Sequence, residues 1–297
     1  MPSAFAEIFT VPFGWMAGDV RVYRLTNRVE RLGDLKGGNC TLSMQLRVEV
    51  KKRDEKTADV RFQLDAPVFE EPCEIPSLRQ VIWLQLSGMP LEAVLEPTLG
   101  SVTIADIDLI RDSLFKGLAR STHWFGRAIK PDLRAEVAAQ LKTIFAVDAK
   151  IFGNATGYVG AIMSPVGSVC DTEAGEVIPV SLPSPFGGVP LAASVSTVIS
   201  SNTPGGKDFT RTTTARIDPK AYAAALAQAI HKLVEAKASE RELRALDQNT
   251  AEAGSTSMER IERLTGWVIE TESKNAMRFN AGSQTDMVRM VYLPNVR

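Results

Sequence analysis

Histidine is nearly absent from this 297-residue chain, which carries only His123 and His231. No HExxH, HxH or Cys/His cluster can be drawn, so no zinc or other metal site is expected. Cysteine is scarce too. Cys40, Cys73 and Cys170 are odd in number, widely spaced and without a CxxC pair, which excludes zinc ribbons and thioredoxin-like motifs. One disulfide stays open on this count. The simpler reading is a reduced compartment, with each cysteine a small buried hydrophobe. Charge of one sign is also missing: 34 Lys and Arg stand against 35 Asp and Glu, a net charge of −1. A nucleic-acid partner would need a basic face. The nearest basic run, Lys51–Arg53, is followed at once by Asp54 and Glu55 and reads as a solvated turn.

No apolar run reaches the roughly 18 residues of a transmembrane segment. Residues 1–18 lack the basic start and continuous apolar centre of a signal peptide. The expectation is a cytoplasmic protein, the alternative a periplasmic one whose signal is absent from this chain. Cofactor and catalytic signatures are missing as well. There is no GxxxxGK[ST] and no GxGxxG after a strand, so no nucleotide cofactor is expected. There is no G-x-S-x-G elbow: in Gly167-Ser168-Val169-Cys170 a cysteine stands where the glycine belongs.

What is present is alternation. In Cys40–Asp65, Leu42, Met44, Leu46, Val48 and Val50 alternate with polar residues, and Val60, Phe62 and Leu64 do so after the charged Lys51–Lys56 turn. A sheet with one apolar and one wet face is antiparallel. Further strands are expected at Val20–Thr26 (running on towards Leu32), Arg79–Leu86, Leu91–Leu95, Gly157–Met163, Ser168–Thr172, Val177–Leu182, Leu191–Ile199, Phe209–Ile217, Met258–Leu264, Gly266–Ser273 and Asp286–Leu293. Ala66–Pro76, with three prolines, reads as an irregular connection or an edge. Ala251–Ser257 and Asn202–Lys207 read as loop and turn. Helical periodicity places Ile107, Ile110, Leu114 and Leu118 on one stripe, and a second helix opens at Pro131. The clearest helix starts at Asp218 as N-cap with Pro219 at its first position and repeats Tyr222, Ala225, Leu226, Ala229 and Leu233. A short exposed helix is expected over Ala238–Asn249. Strands in runs rather than alternation with helices indicate α+β. The expected architecture is a large, mostly antiparallel, curved sheet of hairpins and meanders with helices packed on one face. It forms a single domain over 1–297, with a soft division near 150.

Candidate chemistry is thin. His231 reads as a helix histidine beside the apolar stripe. His123, in the loop Ser121–Arg127 beside Trp124, is the better functional candidate, because loops carry sites. A Cys170–His123–Asp171 arrangement can be drawn, but nothing in the sequence brings those groups together. Asp106/Asp108 are accounted for by a helix dipole and Glu70/Glu71 by a solvated loop. The most distinctive string is Leu182-Pro183-Ser184-Pro185-Phe186-Gly187-Gly188-Val189-Pro190. It reads as a rigid loop plugged by Phe186, or as a rim at the mouth of a cavity.

The run GEVIPVSLPSPFGGVPLAA, the Arg216-Ile217-Asp218-Pro219 entry to an Ala-rich helix and Thr265-Gly266-Trp267-Val268 resemble uncharacterised β-rich bacterial proteins, often exported. That resemblance implies no established activity. The expected sheet with helices on one face is similar, at the level of fold, to lipoprotein-carrier half-barrels that hold acyl chains. Three functions follow as expectations. The first is a non-enzymatic carrier of a lipid or other apolar small molecule, with Phe186, Trp124, His123 and Trp267 at its rim or lid and no catalytic residue. The second is a structural protein assembling with itself or a protein partner through sheet edges. The third is a hydrolase using His123 and Cys170.

Overall fold

In the computed structural model, the described residues are 8–34, 38–73, 76–96, 101–105, 107–115, 156–171, 177–182, 190–200, 206–234, 251–280 and 282–294, with 139, 175, 184 and 296 standing alone. The fold is broadly α+β, dominated by antiparallel sheet. The strands are β1 (Ile8–Thr10), β2 (Val20–Gly33), β3 (Cys40–Arg53), β4 (Ala58–Phe69), β5 (Pro90–Glu96), β6 (Ser101–Ile104), β7 (Val169–Asp171), β8 (Val177–Leu182), β9 (Leu191–Ser200), β10 (Asp208–Ile217), β11 (Ala251–Glu262), β12 (Val268–Phe279) and β13 (Gly282–Tyr292). The helices are α1 (Leu78–Leu86), α2 (residues 107–115), α3 (Gly157–Met163) and α4 (Pro219–Val234). None of them is long and apolar enough to cross a membrane. Eleven strands form one sheet in the order β6-β5-β4-β3-β2-β13-β12-β11-β10-β9-β8. The last strand, β13, pairs with β2 along its length, so the two ends of the sequence meet mid-sheet. β1 and β7 form a separate pair.

The β3–β4 hairpin follows its alternation. Leu46 faces Leu64, Val48 faces Phe62 and Val50 faces Val60 across the ladder, and all six are 0–1% exposed. Its turn is tighter than the charge run suggested. Lys51–Arg53 belong to β3, and the reversal is made by Asp54, whose carboxylate accepts from the Lys56 and Thr57 amides at 2.7 Å. β4 continues to Phe69 rather than ending at Asp65. Pro67 is accommodated beside a register shift between Ser43 and Gln45, with Ala66 at φ 49°.

Three local expectations are overturned. Arg79–Leu86 is helix α1, not a strand. Ser77 caps it, accepting from the Gln80 amide while the Gln80 side chain accepts from the Ser77 amide. A short run apolar on all sides does not separate a buried strand from a buried helix, whereas the Ser77-x-x-Gln80 box does. Gly157–Met163 is helix α3. Its buried residues, Tyr158, Val159, Ile162 and Met163, fall one, three and one apart, and tertiary packing overrides the β-preference of its aromatic and branched residues. Ala251–Ser257 opens strand β11, paired with β12 throughout and with β10 from Gly254 onward. Its small residues, read as loop composition, let α4 approach: Ala251 and Ala253 pack with Tyr222 and Leu226.

The cysteine reading is corrected too. Cys40 and Cys73 are bonded, and Cys170 is the one free thiol. The antiparallel return of β4 puts Phe69 opposite Leu42, which carries Cys73 back to the start of β3. The stripe of α2 buries Ile110 and Leu114 as its spacing predicts. Asp218 caps α4, accepting from the Ala221 amide at 2.8 Å. Apart from Ala139, which is helical, the helix expected from Pro131 lies outside the described residues, as do the helix over Ala238–Asn249, the loop Ser121–Arg127 and 202–205 of the expected turn.

A backbone crossing ties the segment before β2 to the turn after β11. Gly14 donates to the Thr265 carbonyl at 3.1 Å. Gly266 has φ 72°, and a Cβ there would stand 2.2 Å from the Pro12 carbonyl oxygen. This close approach lets Trp15 stack on Trp267 with centroids 4.2 Å apart.

Candidate ligand cavity

The N-terminus of α1 is fixed to the sheet by a buried polar network. Gln80 Nε2 donates to the carbonyls of Asn27 (3.1 Å) and Cys40 (3.2 Å), and Ser77 Oγ donates to Asn27 Oδ1 at 3.4 Å. Asn27, fully buried, donates to Asp286 Oδ1 and to the Met287 carbonyl. Arg79 lies 3.3 Å from the other Asp286 oxygen. Buried polar groups of this kind lock one geometry only when every member is satisfied, as these are. With the Cys40–Cys73 bond just upstream, α1 is held at both its entry and its first turn.

Between α1, α3 and the strands β2, β13, β12 and β11 lies a cavity of about 310 Å³. Its floor is Leu25, Val288 and Met290, with Thr271, Ser273, Ser257 and Glu259 towards one side. Arg79 and Trp83 of α1 line it, together with Gly157, Tyr158 and Ala161 of α3 and Ser164 just beyond. The volume sits at the lower end of the range for small-molecule sites, and the mix of apolar surface with a few polar groups is characteristic of them. The charges at its walls are already paired: Arg79 with Asp286, and Glu259 with Arg211, whose Nε and Nη2 both lie 2.6 Å from Glu259 Oε2.

The residues that sequence reasoning put forward are placed as follows. Trp267 is 2% exposed, stacked on Trp15, and the Arg21 guanidinium lies 4.8 Å above its ring. It is not among the cavity's lining residues. His123, Trp124 and Phe186 lie outside the described residues. Cys170 is 1% exposed in β7, where burial pushes its thiol up despite the opposing influence of Arg211 and Ser168. A nucleophilic cysteine needs the reverse. Of the residues named from the sequence, the described ones, Trp267 and Cys170, do not line the cavity, whose wall carries Trp83, Tyr158, Arg79 and Glu259. Three of these, Arg79, Trp83 and Tyr158, sit in segments whose secondary structure the residue pattern misassigns. The capping box at Ser77 was the available signal for α1; α3 has no side-chain cap to announce it.

No family model matches the chain, and no curated protein matches it. Two solved structures are similar in outline. One is titled "Lipid-protein interactions in lipovitellin", with TM-score 0.41, 8% identity and coverage of 94% of this chain, which spans 25% of that one. The other is a putative outer membrane lipoprotein-sorting protein domain from Vibrio parahaemolyticus, with TM-score 0.19, 8% identity and coverage of 94% of this chain and 87% of that one.

Proposed function

We propose that this protein is a non-enzymatic carrier holding a lipid or other apolar small molecule between a curved sheet and its covering helices. The observation that carries this reading is the cavity of about 310 Å³ floored by Leu25, Val288 and Met290 and roofed by α1 and α3. In this reading the whole chain is one domain whose helices cover a single sheet face. The cross-strand register supports that: Leu25, Met290 and Thr271 under α1 and α3, and Ala251, Ala253, Met277 and Phe279 under α4, belong to one alternating set. His123, Trp124 and Phe186 are the proposed rim or lid. Trp267, buried and off the cavity wall, is not proposed to touch ligand. The Cys40–Cys73 bond favours an oxidising compartment over the cytoplasm.

The test is mass spectrometry of the denatured pure protein, with titration of a fluorescent fatty-acyl probe. A co-purified hydrophobic molecule and saturable probe binding are expected. Ala161→Trp, which fills the cavity from α3, should weaken the probe at least tenfold, while Val198→Lys on an exposed strand position should not. The absence of both a co-purified molecule and probe binding would sink the idea. A second reading, assembly through a sheet edge, is favoured by β8, the outermost strand, with Val177 63% and Ile178 55% exposed. Light scattering of a strict monomer at high concentration argues against self-assembly, and an oligomer dissolved by Ile178→Lys supports it.

A further inference from the structure

The cavity is graded across the strands that floor it. Leu25 of β2 faces Met290 of β13, Met290 faces Thr271 of β12, and Thr271 faces Glu259 of β11. In the neighbouring row Val288 faces Ser273, and Ser273 faces Ser257. Directly opposed residues share a sheet face, so both rows pass from hydrocarbon to hydroxyl within one site, and every residue in them lines it. Among the described residues no hydrogen bond reaches the hydroxyls of Thr271, Ser273 or Ser257, and none of the three oxygens is sealed from solvent. Glu259 adds an acceptor. Arg211 Nε and Nη2 both hold its Oε2, each at 2.6 Å, whereas no hydrogen bond reaches Oε1 among the described residues.

These groups define what can sit against them. An ionised carboxylate only accepts, so Glu259 Oε1 calls for a donor from the ligand, while the three hydroxyls can give or take. Arg211 already balances the charge of Glu259, and Asp286 that of Arg79. A charged head arriving here would be buried without a counter-ion, which costs far more than burying a neutral group that is hydrogen-bonded. A neutral head that only accepts would leave Glu259 Oε1 without its donor. Four polar side chains on two adjacent strands are matched by an uncharged head with several groups that both donate and accept, and hydroxyls are such groups.

We propose that the cavity takes a neutral amphiphile with a hydroxyl-rich head, a sugar or other polyol, the head bonded to Ser257, Ser273, Thr271 and Glu259 and the hydrocarbon lying on Leu25, Val288 and Met290. This rests on the carrier reading and adds the ligand's class. Ser257, Ser273 and Thr271 are then the residues that set specificity, and Arg211 is a positioning residue that holds Glu259 by its other oxygen.

The experiment gives one octyl chain four heads: octyl glucoside, dimethyl(octyl)phosphine oxide as a neutral acceptor, octanoate at pH 8 and octyltrimethylammonium. Each is titrated calorimetrically, below its micelle concentration, into the full-length protein with its disulfide intact. The glucoside should bind about tenfold more tightly than any of the other three, the worth of two neutral hydrogen bonds. Ser257→Ala, Ser273→Ala and Thr271→Val should each weaken the glucoside about three- to tenfold, the loss of one such bond, whereas Val198→Ala, at an exposed strand position, should not. The three hydroxyls make no bond within the fold, so the thermal midpoint of the unliganded variants should not fall; that readout separates ligand contact from folding. Equal or tighter binding of the phosphine oxide, the carboxylate or the ammonium overturns the assignment, as does glucoside binding unchanged in all three variants. The carrier reading survives either result if the fluorescent fatty-acyl probe still binds. Failure of that probe and of all four octyl compounds overturns the carrier reading itself.

Discussion

The strands β2 to β5 and the strands β8 to β10 share one two-residue alternation, yet only the first group closes into a dry core. In β3, Leu42, Met44, Leu46, Val48 and Val50 are 0–2% exposed, with Phe62 and Leu64 of β4 against them. The corresponding positions of β9 and β10 are Val195, Thr197, Thr213 and Ala215, all half-buried, with the Thr197 and Thr213 hydroxyls 3.2 Å apart. Only the ends differ: Ile199 and Phe209 join the large core, Phe209 meeting Phe9 edge-on at 4.9 Å, and Leu191 packs under Tyr222 of α4. Alternation therefore assigns a face, while side-chain volume and the element lying over that face decide whether it is dry. The cavity lies at the border, where the large side chains of β2 and β13 give way to the serines and threonines of β11 and β12.

The largest test of that contrast is a pair of truncations. Phe62→Ala should cost about 3–5 kcal/mol, and Val195→Ala, on the open group, about 0.5 kcal/mol or less. Urea unfolding with a common m-value measures both, and equal losses would break the comparison. Next comes the disulfide that clamps the dry group to α1. Converting Cys40 and Cys73 together to Ala opens a 33-residue closure and should cost about 3–4 kcal/mol by chain entropy. Thiol titration of the unreduced, denatured wild-type protein should find Cys170 alone.

Gly266→Ala tests the crossing that seats Trp15 on Trp267. It combines φ 72° with a 2.2 Å clash against backbone, so a loss of about 1–3 kcal/mol is expected, with changed near-ultraviolet dichroism from the tryptophan pair. The smallest effect is on pH. Burial pushes the Glu262 carboxyl up, but Thr265 Oγ1 and the Arg21 guanidinium outweigh it and hold it below the ordinary value. A carboxyl held low in the fold stabilises above its unfolded pKa, and that contribution disappears as pH falls through the lower folded one. Glu262 is 37% exposed, so the contribution should stay below about 1 kcal/mol. Glu262→Gln should flatten the acid limb of stability against pH by that amount.

Much of the sheet was legible. Residue alternation located β2 to β5, β8 to β10 and β13 to within a few residues, since one buried face leaves a period of two whatever lies over it. The cap of α4 was legible at Asp218 and Pro219, a purely local device. The site was not. RQVIWLQL and GYVGAIM are short, apolar all round and rich in strand-favouring residues, and they became helices because the sheet needed a cover there. Trp267, conspicuous as a sequence landmark, proved to be structural, buried in a stack whose partner, Trp15, lies 252 positions away.

The sequence by itself determined that this protein would be an antiparallel sheet with one apolar face, because pleating sends neighbouring side chains to opposite sides. Only the tertiary structure decided what meets that face. Whether Trp83 and Tyr158 look into a cavity, and whether Cys40 finds Cys73, depends on contacts between residues far apart in the chain. No local spacing encodes such contacts, and they become favourable only once the strands have closed around them.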